Sequence, residues 1–307
     1  MKSFVTGGAG FIGSHLVEAL VRIGHCVHVI DNLNSGKKEH IHKSAIFHNI
    51  DVRSVEAKNL VISEKPDYLF HLAAQADVSK STNFPCEDLD INVNGTINLL
   101  EACKISPVKN FIFSSTSAVY GNTEEAIISE NHSTKPISFY GLSKLTAESY
   151  ITLYHKFFNI PYTILRYGNV YGPRQNAKGE GGVIPSFLKC LKEGSELNIY
   201  GDGLQTRDYI HVRDIVESNI CAATKEITTT LQISTGKSTS LLELIKILEL
   251  IHSKNVPVRF VLERPGDIKH SCLANNKAKN LLNWSPTISL GKGIEDTYSF
   301  VMKENIQ

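Results

Sequence analysis

Along the first half of the chain, short continuous apolar runs alternate with stretches whose apolar residues recur every three or four positions. The first run, Phe4-Val5-Thr6, meets a glycine cluster and then the helical pattern Leu16, Val17, Leu20, Val21. A second, Cys26-Val27-His28-Val29-Ile30, ends at Asp31-Asn32, and a weaker one, Ala45-Ile46-Phe47, leads to Asp51-Val52-Arg53. Tyr68-Leu69-Phe70-His71-Leu72-Ala73-Ala74 reads as a buried strand that closes on small residues, which let a ligand approach the backbone. A helix from about Asn92 puts Val93, Ile97, Leu100 and Cys103 on one stripe, and Asn110 to Thr116 follows as a strand. Strands alternating with helices predict an α/β fold, a doubly wound parallel sheet whose ligands sit at the carboxyl ends of its strands. Thr116 stands at such an end.

The pattern changes after Pro161 to Arg166, the last clear parallel strand. Loops rich in Gly, Asn and Pro follow, and from about residue 170 a second, smaller region begins. The expected division is 1–168 and 169–307, with later segments free to return to the first part. The strongest helix beyond it, Leu241 to Ile251, opens on a capping box of Ser240 and Glu243. The helix near Tyr140 is apolar over more than half its circumference, through Leu142, Leu145, Tyr150, Leu153, Phe157 and others. One stripe suffices to pack on a sheet, so the surplus predicts a homodimer built from this helix and the one at 92–104.

Composition narrows the setting. With 307 residues there is length for a large core, and a net charge of +1 gives no electrostatic case for nucleic acid or an anionic membrane. Six cysteines without a CxxC pair fit a reduced protein without disulfides. No apolar run approaches the roughly 20 residues of a membrane span, and the chain starts on a strand instead of a signal peptide, so a soluble cytoplasmic protein is expected.

Gly8, Gly10 and Gly13 fit GxGxxG between the first strand and the first helix. Glycines there allow a sharp turn and close approach to a pyrophosphate, while the N–H groups of the helix start face the anion. Asp31, eighteen residues beyond Gly13, is placed to take ribose hydroxyls and to repel a 2′-phosphate, which predicts NAD over NADP. Asp51, at the end of the next strand, is placed to meet the adenine. His40-Ile41-His42 lacks a third ligand at metal spacing and reads as a solvated loop. Gly236-Lys237-Ser238 resembles the end of a phosphate-binding P-loop, but Leu231 stands where that motif needs its first glycine.

Tyr140 and Lys144 form YxxxK, the one tyrosine of eleven with a lysine four positions on. On a helix the two share a face. A free tyrosine ionises near pH 10, so a phenolate base at neutrality must be favoured by roughly 4 kcal/mol. A neighbouring ammonium and a positive nicotinamide both act in that direction.

Together these residues resemble the extended short-chain dehydrogenase/reductase family and, within it, the nucleotide-sugar 4-epimerases. The likeness spans nearly the whole chain through TGGAGFIG, DN, DVR, HLAAQADV, NVNGT, SSTSAVYG, YGLSK, RYGNVYGPRQ, GDGLQTRDYIHVRD and RPGD. It implies a Rossmann sheet with a smaller C-terminal α/β substrate domain. It also implies NAD bound by Gly7, Gly10, Phe11, Ile12, Asp31, Asn32, Asp51, Val52, Leu72, Ala73, Ala74, Asn92, Tyr140 and Lys144. Thr116 would hold the sugar C4 hydroxyl, Tyr140 would take its proton, and Lys144 would hold the tyrosine and the nicotinamide ribose. A 4-keto sugar would then turn about its diphosphate and receive the hydride on its other face, with no net redox change.

Dehydrating relatives carry an Asp-Glu pair after the threonine and decarboxylating ones a Glu, whereas this chain has Ser117-Ala118. The resemblance further assigns Arg207 and Arg264 to the diphosphate, Asn169 to the diphosphate or sugar, and Val183, Tyr200 and Asp267 to the nucleotide pocket. Ser271 replaces the tyrosine that restricts hexose-only relatives, leaving room for a 2-acetamido group. The expected reaction interconverts UDP-N-acetylglucosamine and UDP-N-acetylgalactosamine, with UDP-glucose and UDP-galactose as further substrates. Competing readings are a hexose-only 4-epimerase, a net NAD-dependent oxidoreductase, a uronic acid 4-epimerase and a non-catalytic NAD-binding module.

Overall fold

The computed structural model describes residues 1–177, 182–263 and 268–303. Its first half runs β1 (Lys2–Thr6), α1 (Phe11–Arg22), β2 (Cys26–Ile30), β3 (Ile46–His48), α2 (Val55–Glu64), β4 (Tyr68–His71), α3 (Val78–Asn83), α4 (Pro85–Leu89), α5 (Gly95–Ile105), β5 (Asn110–Thr116), α6 (Phe139–Phe158) and β6 (Tyr162–Tyr167). The second half runs β7 (Asn169–Tyr171), α7 (Val183–Glu193), β8 (Leu197–Tyr200), β9 (Thr206–Arg207), β10 (Tyr209–His211), α8 (Val212–Lys225), β11 (Thr229–Ile233), β12 (Thr239–Ser240), α9 (Leu241–His252), β13 (Val258–Val261), β14 (His270–Ser271), α10 (Asn276–Leu282) and α11 (Leu290–Lys303).

Alternation within the strands builds the central layer. Val5, Val29, Phe70 and Ile112 point to one face of the sheet, where α1, α8 and α10 pack, and Phe4, Ile30, Leu69 and Phe111 point to the other, under α2, α5 and α6. Burial on both faces explains the continuous apolar runs. The sheet is parallel throughout, in the order β3-β2-β1-β4-β5-β6-β11. Its order reverses between β1 and β4, which opens a crevice at their carboxyl ends.

The edge strand β11 comes from residues 229–233, beyond the last strand expected from the sequence, so the chain returns to the first layer through α8 and β11. A separate core of Tyr171, Ile184, Phe187, Leu197, Leu244 and Ile294 holds α7, α9 and α11 together. The helix expected over Leu241 to Ile251 forms with both halves of its capping box. The helix expected from Asn92 begins with a wider π turn over Asp90–Asn94 before α5. All six cysteines are free thiols. No helix among the described residues is long and apolar enough to cross a membrane.

Candidate active site

A cavity of about 370 Å³ occupies the crevice where the strand order reverses. One wall is the β1 to α1 turn. Gly7 holds φ +70°, and a Cβ there would lie 2.7 Å from the Ala73 nitrogen, so the first and fourth strands close on each other only through glycine. Gly10 caps α1 without a side chain, and no acidic residue stands in the first helical turn. Phe11 and Ile12 therefore present N–H groups without helical partners to a cavity they line.

Asp31 and Asn32 form the next wall. The Asp31 carboxylate accepts from the N–H of Ala9 (3.0 Å) and of Leu33 (2.8 Å), which ties it to the glycine turn. Asn32 donates to Asp51 (3.0 Å), whose carboxyl the Arg53 guanidinium beside it holds down at about 2. Val52, Leu72, Ala73 and Ala74 complete this side. The cradle of glycine, helix N-terminus and strand-end carboxylate fits a dinucleotide pyrophosphate and ribose.

Behind Ala73 lies a buried relay. Thr96 donates to the Asn92 carbonyl (2.6 Å), so it accepts from His71 Nε2 (3.0 Å). His71 Nδ1 then accepts from the Thr6 hydroxyl (2.7 Å), and Thr6 in turn accepts from the Ala73 N–H (3.1 Å). Burial lowers the His71 imidazole to about 3, with the Lys144 charge acting in the same direction. Asn92 belongs to this supporting layer and does not line the cavity. Its side chain bonds Gln75 N and O, both at 2.9 Å, and Ser143 Oγ at 3.0 Å.

The reactive wall is the end of β5 against the start of α6. Ser138 caps α6 by accepting from Gly141 N (3.0 Å), and a Cβ on Gly141 would approach the Ala118 carbonyl to 2.6 Å. That close approach brings Tyr140 beside the turn that follows Thr116. Lys144 is 97% buried, donates to the Ser114 carbonyl (2.9 Å) and stands 4.7 Å over the Phe113 ring. Thr116 Oγ1 accepts from Ala118 N (3.1 Å), which leaves its proton for another partner.

Thr116 and Tyr140 also line a second cavity of about 230 Å³, with Asn169 and Val183. Phe11 and Ile12 are likewise shared by the two cavities, so the spaces adjoin along this wall.

Three of the substrate positions expected from the sequence lie off both cavities as lined by described residues. Tyr200 ends β8, and Arg207 on β9 pairs in register with Ser271 on β14. Arg264 and Asp267 lie outside the described residues. Several cavity residues had escaped sequence reasoning: Lys37 and His40 beside Asp31, Arg174 near the crevice, and Gln175 and Tyr209 in the second cavity. Gln175 Oε1 and the Tyr209 hydroxyl are buried without a hydrogen-bond partner among the described residues. The signal available for Arg174 and Gln175 was their place in RYGNVYGPRQ. His40 and His42 gather no third ligand, and no group of three His, Cys, Asp or Glu side chains among the described residues could hold a metal ion.

Residues 3–233 match the NAD dependent epimerase/dehydratase family. The chain belongs to that family. Its cofactor is NAD, as the cradle at the glycine turn fits. Within the family it groups with UDP-sugar 4-epimerases, which are isomerases. The UDP-glucose 4-epimerase of Mycolicibacterium smegmatis is 35% identical over 98% of both chains. Among solved structures, the Thermotoga maritima UDP-glucose 4-epimerase with UDP-glucose is 40% identical, covers 98% of both chains and superposes with a TM-score of 0.95. The UDP-N-acetylglucosamine 4-epimerase of Methanobrevibacter ruminantium M1, solved with UDP-N-acetylmuramic acid, is 34% identical over 99% of both chains, also at 0.95.

Proposed function

We propose that this epimerase interconverts UDP-N-acetylglucosamine and UDP-N-acetylgalactosamine at C4, and turns over UDP-glucose and UDP-galactose at the same site. The observation that carries the chemistry is that Thr116 and Tyr140 line both adjoining cavities, one shaped for a dinucleotide and the other open to a sugar. NAD, when bound, supplies the hydride acceptor and donor for sugar C4. Tyr140 takes the C4 hydroxyl proton and returns it, Thr116 orients that hydroxyl, and Lys144 favours the phenolate by its charge. Asn169, Arg207 and Arg264 hold the diphosphate, while Val183, Tyr200 and Asp267 hold the nucleotide. Ser117-Ala118 supplies no carboxylate for dehydration or decarboxylation, which supports simple epimerisation.

The acetylated substrate rests on Ser271, small and 92% buried, and on the likeness to the Methanobrevibacter enzyme. The Thermotoga and Mycolicibacterium relatives favour a second reading, a plain-hexose epimerase. Purified enzyme incubated with each UDP-sugar, without added cofactor, should yield both C4 epimers on chromatography. Tyr140→Phe should lower kcat by about 10³-fold while the protein retains NAD. Ser271→Tyr should abolish turnover of the acetylated pair and spare the plain pair. Equal loss of both pairs rejects the acetyl pocket, and stoichiometric NADH in solution rejects epimerisation.

The working unit in this proposal is a homodimer in the cytoplasm, a setting supported by the six free thiols.

A further inference from the structure

Tyr140, Lys144 and Glu148 succeed one another at four-residue spacing on α6 and so share the face turned to β5. Lys144 holds the carbonyl of Ser114, and Glu148 accepts a short hydrogen bond from the hydroxyl of the next residue, Ser115. Ser115 pairs in register with Arg166 on β6, and Arg166 returns to the same carboxylate through Nε (3.0 Å) and Nη2 (2.6 Å). The guanidinium also donates through Nη1 to the Tyr120 hydroxyl (2.7 Å), and its carbon lies 5.0 Å over that ring.

Tyr120 closes the short turn Ser117–Tyr120, whose other end is capped by Thr116. The Gln232 amide lies 2.7 Å from the Tyr120 hydroxyl, and turned so that its oxygen accepts there, its nitrogen donates to the Ala274 and Ile128 carbonyls. Glu148, Arg166, Tyr120, Ser115 and Gln232 are all buried. Such a pair is weak as a source of stability, because desolvation offsets most of the attraction. Its geometry serves another end. It grips the Thr116 turn at both ends and ties it to the helix that carries Tyr140 and Lys144.

Resting on the epimerase reading, we propose that the Glu148–Arg166 pair, acting through Ser115 and Tyr120, is a positioning device that sets Thr116 and Lys144 against Tyr140. Neither Glu148 nor Arg166 lines the two cavities, while Ser115, the link to Thr116, also lines the dinucleotide cavity. A displacement of about 1 Å between reacting groups costs on the order of 10²-fold in rate, which is the size of effect the device controls.

Two variants test this. Ser115→Ala removes one hydroxyl, and Glu148→Leu with Arg166→Met removes both charges together, avoiding a lone buried charge. The expected result is a kcat about tenfold lower for the first and about 100-fold lower for the second, with KM within about twofold and bound NAD unchanged. A kcat within about twofold of wild type in NAD-loaded variants overturns the proposal, and so does a loss that only follows the fraction of NAD lost. If the double variant does not fold, Tyr120→Phe, which removes only the hydroxyl bound by Arg166 and lies off both cavities, is read beside Ser115→Ala with the same kcat, KM and NAD measurements, and wild-type kcat in both overturns the proposal.

If the wild type leaves every UDP-sugar unchanged, the epimerase reading fails. The positioning role is then decided without substrate, by titrating the Tyr140 phenol by ultraviolet difference with Tyr140→Phe as blank. An increase of about one pH unit in Ser115→Ala supports it, and no change overturns it.

Discussion

His71 shows how one residue can serve the site without meeting a ligand. Its imidazole works only as a neutral ring, accepting from Thr6 and donating to Thr96, and burial keeps it so down to about pH 3. In the unfolded chain the same ring takes a proton near pH 6.5. The folded value is the lower one, so stability is complete above pH 6.5 and falls as pH drops from there toward 3, at up to about 1.4 kcal/mol per pH unit for this group. His15, His25, His28, His48 and His211 are also lowered by burial and act in the same direction. Urea unfolding between pH 7 and pH 5 should therefore show marked acid destabilisation, and His71→Asn should be less stable at pH 7 yet lose less on acidification. Parallel stability curves for the two proteins would contradict the relay.

At the scale of elements, the β1 turn and α1 form one object. A Cβ on Gly13 would overlap the Gly7 carbonyl, so Gly13→Ala must push helix from strand. Overpacking of this kind costs about 1–3 kcal/mol, and here it also opens the pyrophosphate cradle. Gel-filtered Gly13→Ala should melt earlier and carry less NAD than wild type, and equal melting with full NAD would refute the close packing.

Strands β1, β2, β4, β5 and β6 were legible because burial on both faces writes continuous apolar runs, whereas the edge strand β3, with Ile46 exposed, left only a weak one. The edge strand β11 was not legible. Thr229-Thr230-Leu231-Gln232-Ile233 reads as polar, and the partners that satisfy buried Gln232 sit at Tyr120, Ile128 and Ala274, far off in sequence. The two-residue strands β9, β12 and β14 are too short to leave any period. Thr116, Tyr140 and Lys144 stood out through a strand end and a helical spacing, whereas Gln175 reaches the second cavity from the loop after β7 and Tyr209 through the pairing of β10 with β7. Asn92 entered only through the resemblance, as a cofactor position, and its place behind the cavity depends on Gln75 and Ser143.

For the whole molecule, α6 is the element with two duties. Its inner face carries Tyr140, Lys144 and Glu148, while its outer face leaves Leu142, Leu153, Phe157 and Phe158 exposed, Leu153 by 48% and Phe157 by 67%. Phe84, which caps α4, and Leu89 at its end are exposed as well, and α4 packs against α6. The neighbouring α5 reaches α6 through Tyr154 donating to Glu101 (2.7 Å) and Lys104 lying 4.9 Å over the Phe158 ring. Large aromatic and aliphatic side chains grouped on one side of a protein are costly to leave in water, and the homodimer proposed above would cover them with the same face of a second copy by two-fold symmetry. Light scattering should return twice the 34.0 kDa chain mass at micromolar concentration. Leu153→Glu with Phe157→Glu places four carboxylates at such an interface, two from each copy, and should return a single-chain mass. Because the inner face of α6 is untouched by these changes, the separated chains should still hold NAD. A wild-type mass of one chain would leave the apolar face without its expected cover and refute the dimer.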